Sequence, residues 1–469
     1  MMPSTTPPVS VHPESRRATG TRHARRAALG LLGGAILVGL AVLGCGLPQS
    51  RTDAIDPPAV GSAVEALGAR ADAPPDPRFA RAFEPRAFVF PHDHGPHPDF
   101  QTEWWYFTGN LEATDGRRFG FQWTIFRRAL RPPGPSTPGD STPGDSSPGD
   151  STPGDSSQAA SSAASSSAWS TRQLYMGHVA LVDVAADRHV AAERFARGAV
   201  GLAGAVADPF RVWLEDWEAA TVDSATENAA LETAGLQNDL AARTLFPLRL
   251  RAAEGDMAFD LEIRAAKPHV LQGEKGLSRK SDLPGGASYY LSFTRLLASG
   301  RVQVDGEEWI EVEGTAWLDR EWSTSVLAPE QTGWDWFALQ LDAGPEGLDR
   351  DVMVYQLRLD ADDDQPQVDD ASKGILVDAA GAGTVLAHHD FTLEVLEHWR
   401  SPTSGIRYPV RWRLQLPAHD LDLDIAAVVD DQELDISFRY WEGAVDVRPW
   451  TEREGPAIGR GYVELVGYT

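Results

Sequence analysis

Between His92 and Thr108 the chain carries three histidines, two aspartates, a glutamate, two tryptophans and a tyrosine. His92, Asp93, His94, His97 and Asp99 stand in a loop stiffened by Pro96 and Pro98, and Glu103-Trp104-Trp105-Tyr106 follows directly. Titratable groups feeding into an aromatic strand suit a pocket mouth, where apolar surroundings shift their protonation. The loop has the nitrogen and oxygen donors that zinc or iron takes, but its spacing fits no standard metal motif. The expectation is therefore a loop pinned by hydrogen bonds, with no metal and no cofactor.

A second block, Trp317-Leu318-Asp319-Arg320-Glu321-Trp322, has the same character. On a strand, Trp317, Asp319 and Glu321 share one face, and Leu318, Arg320 and Trp322 share the other. A carboxyl group beside Trp inside a barrel loses hydration and its pKa rises. Such a neutral acid could protonate an isolated alkene, giving a cation that water then quenches. The alternative pairs both acids with basic side chains at a domain junction. By the same parity Glu103, Trp105 and Phe107 lie opposite Trp104 and Tyr106. Glu103 then either caps the loop by accepting backbone N–H bonds or serves as an acid in the cavity. His178, between Gly177 and Val179, reads as a core or pocket donor on a strand. No serine-nucleophile elbow, P-loop or dinucleotide-binding glycine pattern stands in its required context.

These residues need strands to position them, and the chain is rich in short alternating runs. Examples are Phe119–Phe126, Leu174–Asp183, Ala258–Arg264, Tyr289–Thr294, Trp336–Leu341, Val410–Leu416 and Gly461–Val466. Period-two alternation with turn residues between the runs predicts antiparallel sheets, and their number predicts an all-β protein of two barrels or sandwiches. Short helices are expected at 239–243 and 186–196. Residues 131–170, with Pro-Gly-Asp-Ser recurring every five residues before an Ala/Ser tract, read as a disordered insertion in a hairpin.

The chain has 469 residues, 42% of them hydrophobic, and a net charge of −26, which argues against nucleic-acid binding and against anionic lipid headgroups. Arg16, Arg17, Arg22, Arg25 and Arg26 precede an uncharged apolar stretch, Ala27–Leu43, that reads as a signal segment. Val42-Leu43-Gly44-Cys45 resembles a bacterial lipobox, in which Cys45 would be lipidated. Residues 1–45 are then the signal peptide and 46–80 a flexible tether. The expected address is the cell envelope, anchored to the outer membrane and facing the periplasm or the surface, because Gly46 is not an inner-membrane retention aspartate. Cys45 is the single cysteine, so no intramolecular disulfide can form.

The run Pro91 to Tyr106 resembles the opening signature of the carotenoid 1,2-hydratase/AttH-like family. Further matches are Gly177-His178, Tyr289-Tyr290 with Thr294-Arg295-Leu296, Gly314 to Trp322, Gly333 to Phe337 and Gly461 to Tyr468. The resemblance covers residues 85–469. It implies two consecutive lipocalin-like antiparallel β-barrels, 81–298 and 299–469, and an aspartate on a strand as proton donor, matched here by Asp319.

On this reading the protein binds an elongated apolar small molecule, isoprenoid or lipid-like, and hydrates or isomerises an alkene in it. Asp319 would supply the proton, with Glu321, Glu103, His178 and Tyr290 beside it. Trp104, Trp105, Tyr106, Trp317, Trp322 and Trp336 would line the ligand site. The alternatives are a non-catalytic carrier of lipids or pigments and an envelope scaffold without a cavity. Oligomeric state is left open.

Overall fold

The computed structural model describes residues 61–62, 76–132, 171–222, 231–324, 327–342, 349–359 and 366–469, all within one compact unit, Pro58–Thr469. Cys45, the segment before it, most of the tether and nearly all of the 131–170 insertion lie outside the described residues.

Runs with a side chain on alternate faces form two sheets, as period-two patterning requires. Strands of the first sheet are β2 (Thr102–Ala113), β3 (Arg118–Ala129), β4 (Gln173–Asp183), β5 (Arg188–Arg197), β6 (Ala203–Ala207), β7 (Phe210–Leu214) and β8 (Trp217–Thr221). They continue with β9 (Leu248–Glu254), β10 (Met257–Ala265), β11 (Val270–Leu271), β12 (Leu277–Arg279), β13 (Ala287–Gln303) and β14 (Ile310–Ser323). The spatial order is β5-β4-β3-β2-β14-β13-β10-β9-β8-β7-β6, with β11 and β12 on β13.

The second sheet contains β15 (Gly333–Leu341), β16 (Arg350–Arg358), β17 (Lys373–Val377), β18 (Gly383–Ala387), β19 (Thr392–Arg400) and β20 (Arg407–Leu416). It is completed by β21 (Leu421–Ala427), β22 (Glu433–Asp435), β23 (Phe438–Pro449), β24 (Gly459–Val466) and the short β1 (Gly61–Ser62), which joins β23 in parallel. Its order is β18-β17-β16-β15-β24-β23-β21-β20-β19. Both sheets curl into nearly closed barrels, so the all-β, two-barrel expectation holds.

Two expectations are corrected. Residues 186–196 form a turn at Ala186-Asp187 and then strand β5 instead of a helix, because ten residue pairs with β4, from Leu174↔Arg197 to Asp183↔Arg188, outweigh the helix propensity of its Ala, Glu and Arg. The barrels do not divide at residue 299. The β13–β14 ladder runs through Ala298↔Gly314, Ser299↔Glu313 and Gly300↔Val312, and β14 pairs on with β2. The chain therefore leaves the first barrel between Ser323 and Gly333. The helix expected at 239–243 is α1 (Leu240–Leu245), capped where Asp239 accepts the Ala242 N–H at 3.1 Å.

Each barrel interior is filled. Trp105, Phe107, Trp123, Trp217 and Phe259 pack inside the first, and Phe337, Trp412, Trp441 and Val463 inside the second. A third apolar cluster, including Tyr106, Met176, Tyr290, Trp317, Trp336, Tyr355 and Tyr462, is built from the outer faces of both sheets. The candidate pocket is lined by these outer faces and lies between the barrels, contrary to the expectation of an acid within a barrel. Asn110 Nδ2 donating to the Gly461 carbonyl at 3.1 Å, and Gln340 Nε2 to the Thr294 and Ala316 carbonyls at 2.7 and 2.9 Å, tie the barrels together around it.

Candidate active site

Register decides which side chains meet. Across the outer face of the first barrel, Ser292, Asp319, Tyr106, Thr124 and His178 stand opposite one another in one row. The adjacent row is Tyr290, Glu321, Trp104, Phe126 and Met176. From the second barrel, Tyr355, Trp336, Glu464 and Glu442 form a facing row. These rows enclose a pocket with about 740 Å³ of space free of protein atoms, part of it open to solvent. Asp319, Glu321, Tyr290, Trp104, Tyr106 and Trp336 line it, joined by Lys280, Trp334, Tyr355 and Glu464.

Asp319 sits in this wall with an uncommon set of partners. Ser292 Oγ donates to its Oδ1 at 2.5 Å, Trp317 Nε1 donates to the same oxygen at 2.7 Å, and the Tyr290 hydroxyl bonds its Oδ2. Trp336 Nε1 reaches Tyr290 Oη at 3.2 Å. Among these partners there is no cation. Burial dominates and pushes the Asp319 carboxyl up to about 7; hydrogen bonds from Ser292, Tyr290 and Trp317 favour the ionised form without offsetting it. Glu321 differs, because Lys280 Nζ lies 3.2 Å from its Oε1. Burial, together with the charges of Asp319 and Glu321, also raises Glu464, which accepts the Trp334 Nε1–H at 3.0 Å. Glu442, directly opposite Glu464 on the ladder, is raised as well by burial and by that neighbour's charge.

His178 is not in this pocket. It lines a second one, of about 280 Å³, that shares Tyr106, Phe126 and Glu464 with the first. Burial lowers its imidazole to about 3, so the ring is neutral.

Glu103 faces the opposite way. Arg127 Nε donates to its Oε2 at 2.8 Å and Arg320 Nη2 to its Oε1 at 2.7 Å. The His97 backbone N–H and the His97 Nδ1 reach the same carboxylate at 2.9 and 2.7 Å. Burial would raise Glu103, but the charges of His97, Arg320 and Arg127 outweigh it and hold the carboxyl well below the usual range. Of the two readings open for Glu103, the structure takes the loop cap, and the acid is removed from the cavity.

The histidine loop extends this network. His97 Nε2 lies 3.2 Å from Asp93 Oδ1, Arg86 lies 2.9 Å from Asp93 Oδ2, and the His97 ring stacks on Trp322 at 3.8 Å. His94 Nε2 meets the Ala241 carbonyl and Thr244 Oγ1, both at 3.0 Å, and Trp105 Nε1 donates to the His94 carbonyl at 2.9 Å. His92, Asp93 and His97 bring potential ligand atoms within 4.8 Å of one another. The Asp93 carboxylate, however, is already matched by Arg86 and both histidines, so the cluster reads as a pin that fixes the loop. Trp105 and Trp322 contact this loop and belong to the core, not to the cavity. Trp317 contributes its N–H to Asp319.

Lys280, Tyr355, Glu442 and Glu464 are not among the candidates the sequence offers, whereas Trp334, in a strand whose aromatic residues read first as packing and second as pocket lining, does line the pocket. Glu442 and Glu464 carry the signal that singled out Asp319. Tyr440, Glu442 and Ala444 share one face of β23, and Tyr462, Glu464 and Val466 share one face of β24. In each, an acid is in phase with an aromatic residue.

The AttH-like family model matches residues 81–145 and 155–468. A crystal structure assigned as an AttH from Nitrosomonas europaea superposes with a TM-score of 0.61 at 30% identity, covering 83% of this chain and 100% of that one. Kievitone hydratase from Nectria haematococca shares the fold at 13% identity, with a TM-score of 0.54, over 84% of this chain and 98% of that one. Curated proteins give no match.

Proposed function

The chain belongs to the AttH-like family, and on that premise we propose that it is a hydratase-like enzyme acting on an alkene in a small molecule with an apolar body. The observation that carries this reading is Asp319, a buried carboxyl raised to about 7 whose hydrogen-bond partners are three neutral donors with no cation among them. The hydratase name of one neighbour in fold agrees with it but does not carry it.

When Asp319 is neutral, its proton sits on Oδ2, because Oδ1 already accepts from Ser292 and Trp317. It then donates to Tyr290 Oη, which also accepts from Trp336 Nε1. The Tyr290 hydroxyl proton is left free to turn into the pocket. Delivery through this pair forms a C–H bond from the alkene π electrons and leaves a cation on the other alkene carbon. Water adds to that carbon, and the proton it releases returns to Asp319, restoring the acid. Loss of a neighbouring proton instead gives the isomer. Trp104, Trp334 and Trp336 supply aromatic faces to the cation.

The sign of the pH dependence follows. The proton donor is present below about 7 and is lost above it, so kcat/KM should be flat on the acid side and fall roughly tenfold per pH unit on the alkaline side. Tyr290→Phe removes a hydrogen bond that favours the ionised form. Its rate should drop by at least roughly tenfold, while the break in the profile moves to higher pH. An unmoved break in that variant would contradict the assigned pair.

A further inference from the structure

The second pocket has polar atoms that nothing in the described residues satisfies. His178 and Glu442 are each 1% exposed, and His178 Nε2 and Glu442 Oε2 lack partners. Their other ends are fixed. Gln122 Nε2, which can only donate, lies 3.2 Å from Tyr440 Oη, and His178 Nδ1 lies 2.8 Å from the same oxygen, whose proton is assigned to that nitrogen. A neutral ring that accepts at Nδ1 carries its hydrogen on Nε2, the unpartnered atom. Glu442 Oε1 accepts from the Tyr106 hydroxyl at 2.6 Å, which leaves Oε2 for the carboxyl proton.

Two neutral donors thus border one small space whose other walls are apolar at Phe126, Met176, Phe438 and Val466 and polar at Tyr106, Tyr440 and Glu464. Buried donors without acceptors are unfavourable in a finished core and mark where an acceptor docks. Beyond the main cavity the annex has room for about one water-sized group, the size of a single oxygen function. Tyr106, Phe126 and Glu464 belong to both pockets, so a ligand in the main cavity can extend into this one.

We propose that this annex binds an oxygen function of the substrate, a hydroxyl or carbonyl oxygen held between His178 Nε2 and Glu442 Oε2. The substrate is then an oxygenated alkene and not a pure hydrocarbon. The inference rests on the reading that the main cavity is the substrate site.

Equilibrium dialysis of the full chain with 2-naphthol and, separately, with naphthalene tests it. The wild type should hold 2-naphthol roughly tenfold more tightly. His178→Phe and Glu442→Met should each abolish that preference while naphthalene affinity changes by less than roughly threefold. Glu442→Gln, whose amide still donates, should keep it, and serves if a less conservative variant does not fold. Equal affinity for the two probes in the wild type overturns the proposal. So does a preference that survives in His178→Phe and Glu442→Met, or a failure of both probes to bind. Asp319→Asn should retain the preference, so the binding result stands apart from the catalytic reading: an Asp319→Asn protein with full turnover would sink that reading and leave the annex intact.

Discussion

Asp319→Asn is expected to reduce turnover of any accepted alkene by roughly 10²–10⁴-fold, the usual contribution of a positioned general acid. The substitution is a narrow one. Asparagine Oδ1 can keep the Ser292 and Trp317 hydrogen bonds, and its amide can donate to Tyr290 Oη as the neutral acid does. Shape and hydrogen bonding are preserved and only the transferable proton is lost. Ligand affinity should be nearly unchanged, and thermal stability should hold or rise, because a buried carboxyl with no cation beside it contributes nothing to folding when ionised. Rates and melting temperatures measured on the same preparation check this. Unchanged turnover, or lost turnover that tracks lost stability, would remove Asp319 from the chemistry.

Glu103→Ala should behave in the opposite way. Glu103 is the anion that Arg127 and Arg320 share, and all three side chains are buried. Removing it leaves two buried guanidinium groups uncompensated and releases the His97 N–H and ring that hold the loop. A loss of about 3–5 kcal/mol is expected, read as a fall in the denaturation midpoint at constant slope. The site itself lies on the opposite face of β2, so protein that stays folded should keep the pH profile set by Asp319. An effect on catalysis without one on stability would show that the acid reaches the substrate after all. The two carboxylates stand in similar sequence settings, beside Trp on a strand, and their partners separate them: three arginine and histidine groups for Glu103, hydroxyl and indole donors for Asp319.

That contrast marks what the sequence discloses. Alternation places Trp104 and Tyr106 on one face and Glu103, Trp105 and Phe107 on the other, and sets Asp319 in phase with Trp317 and Glu321; the structure has both patterns. What alternation leaves undecided is which face looks into a barrel. Both faces of β2 and β14 are apolar, because one lines the barrel core and the other packs on the second barrel. Alternation alone therefore does not distinguish a cavity inside a barrel from this one between two. Glu442 and Glu464 are not legible as site residues in the sequence, because each meets the site only through the pairing of β23, β24 and β15, contacts made between segments distant in sequence. The division at Ser299 is implied by the family resemblance alone, and Ser299 lies mid-strand in the long β13–β14 hairpin.

The central claim is that this chain adds water to an alkene held between its barrels. Mass spectrometry of the full chain purified from its own host, with organic extraction of what it carries and incubation of that extract with the enzyme in isotopically labelled water, tests it most directly. The account predicts an oxygenated alkene that gains the mass of one labelled water with wild-type protein and stays unaltered with Asp319→Asn. A bound molecule that the wild type returns unchanged after full incubation would contradict it, and would make the protein a carrier.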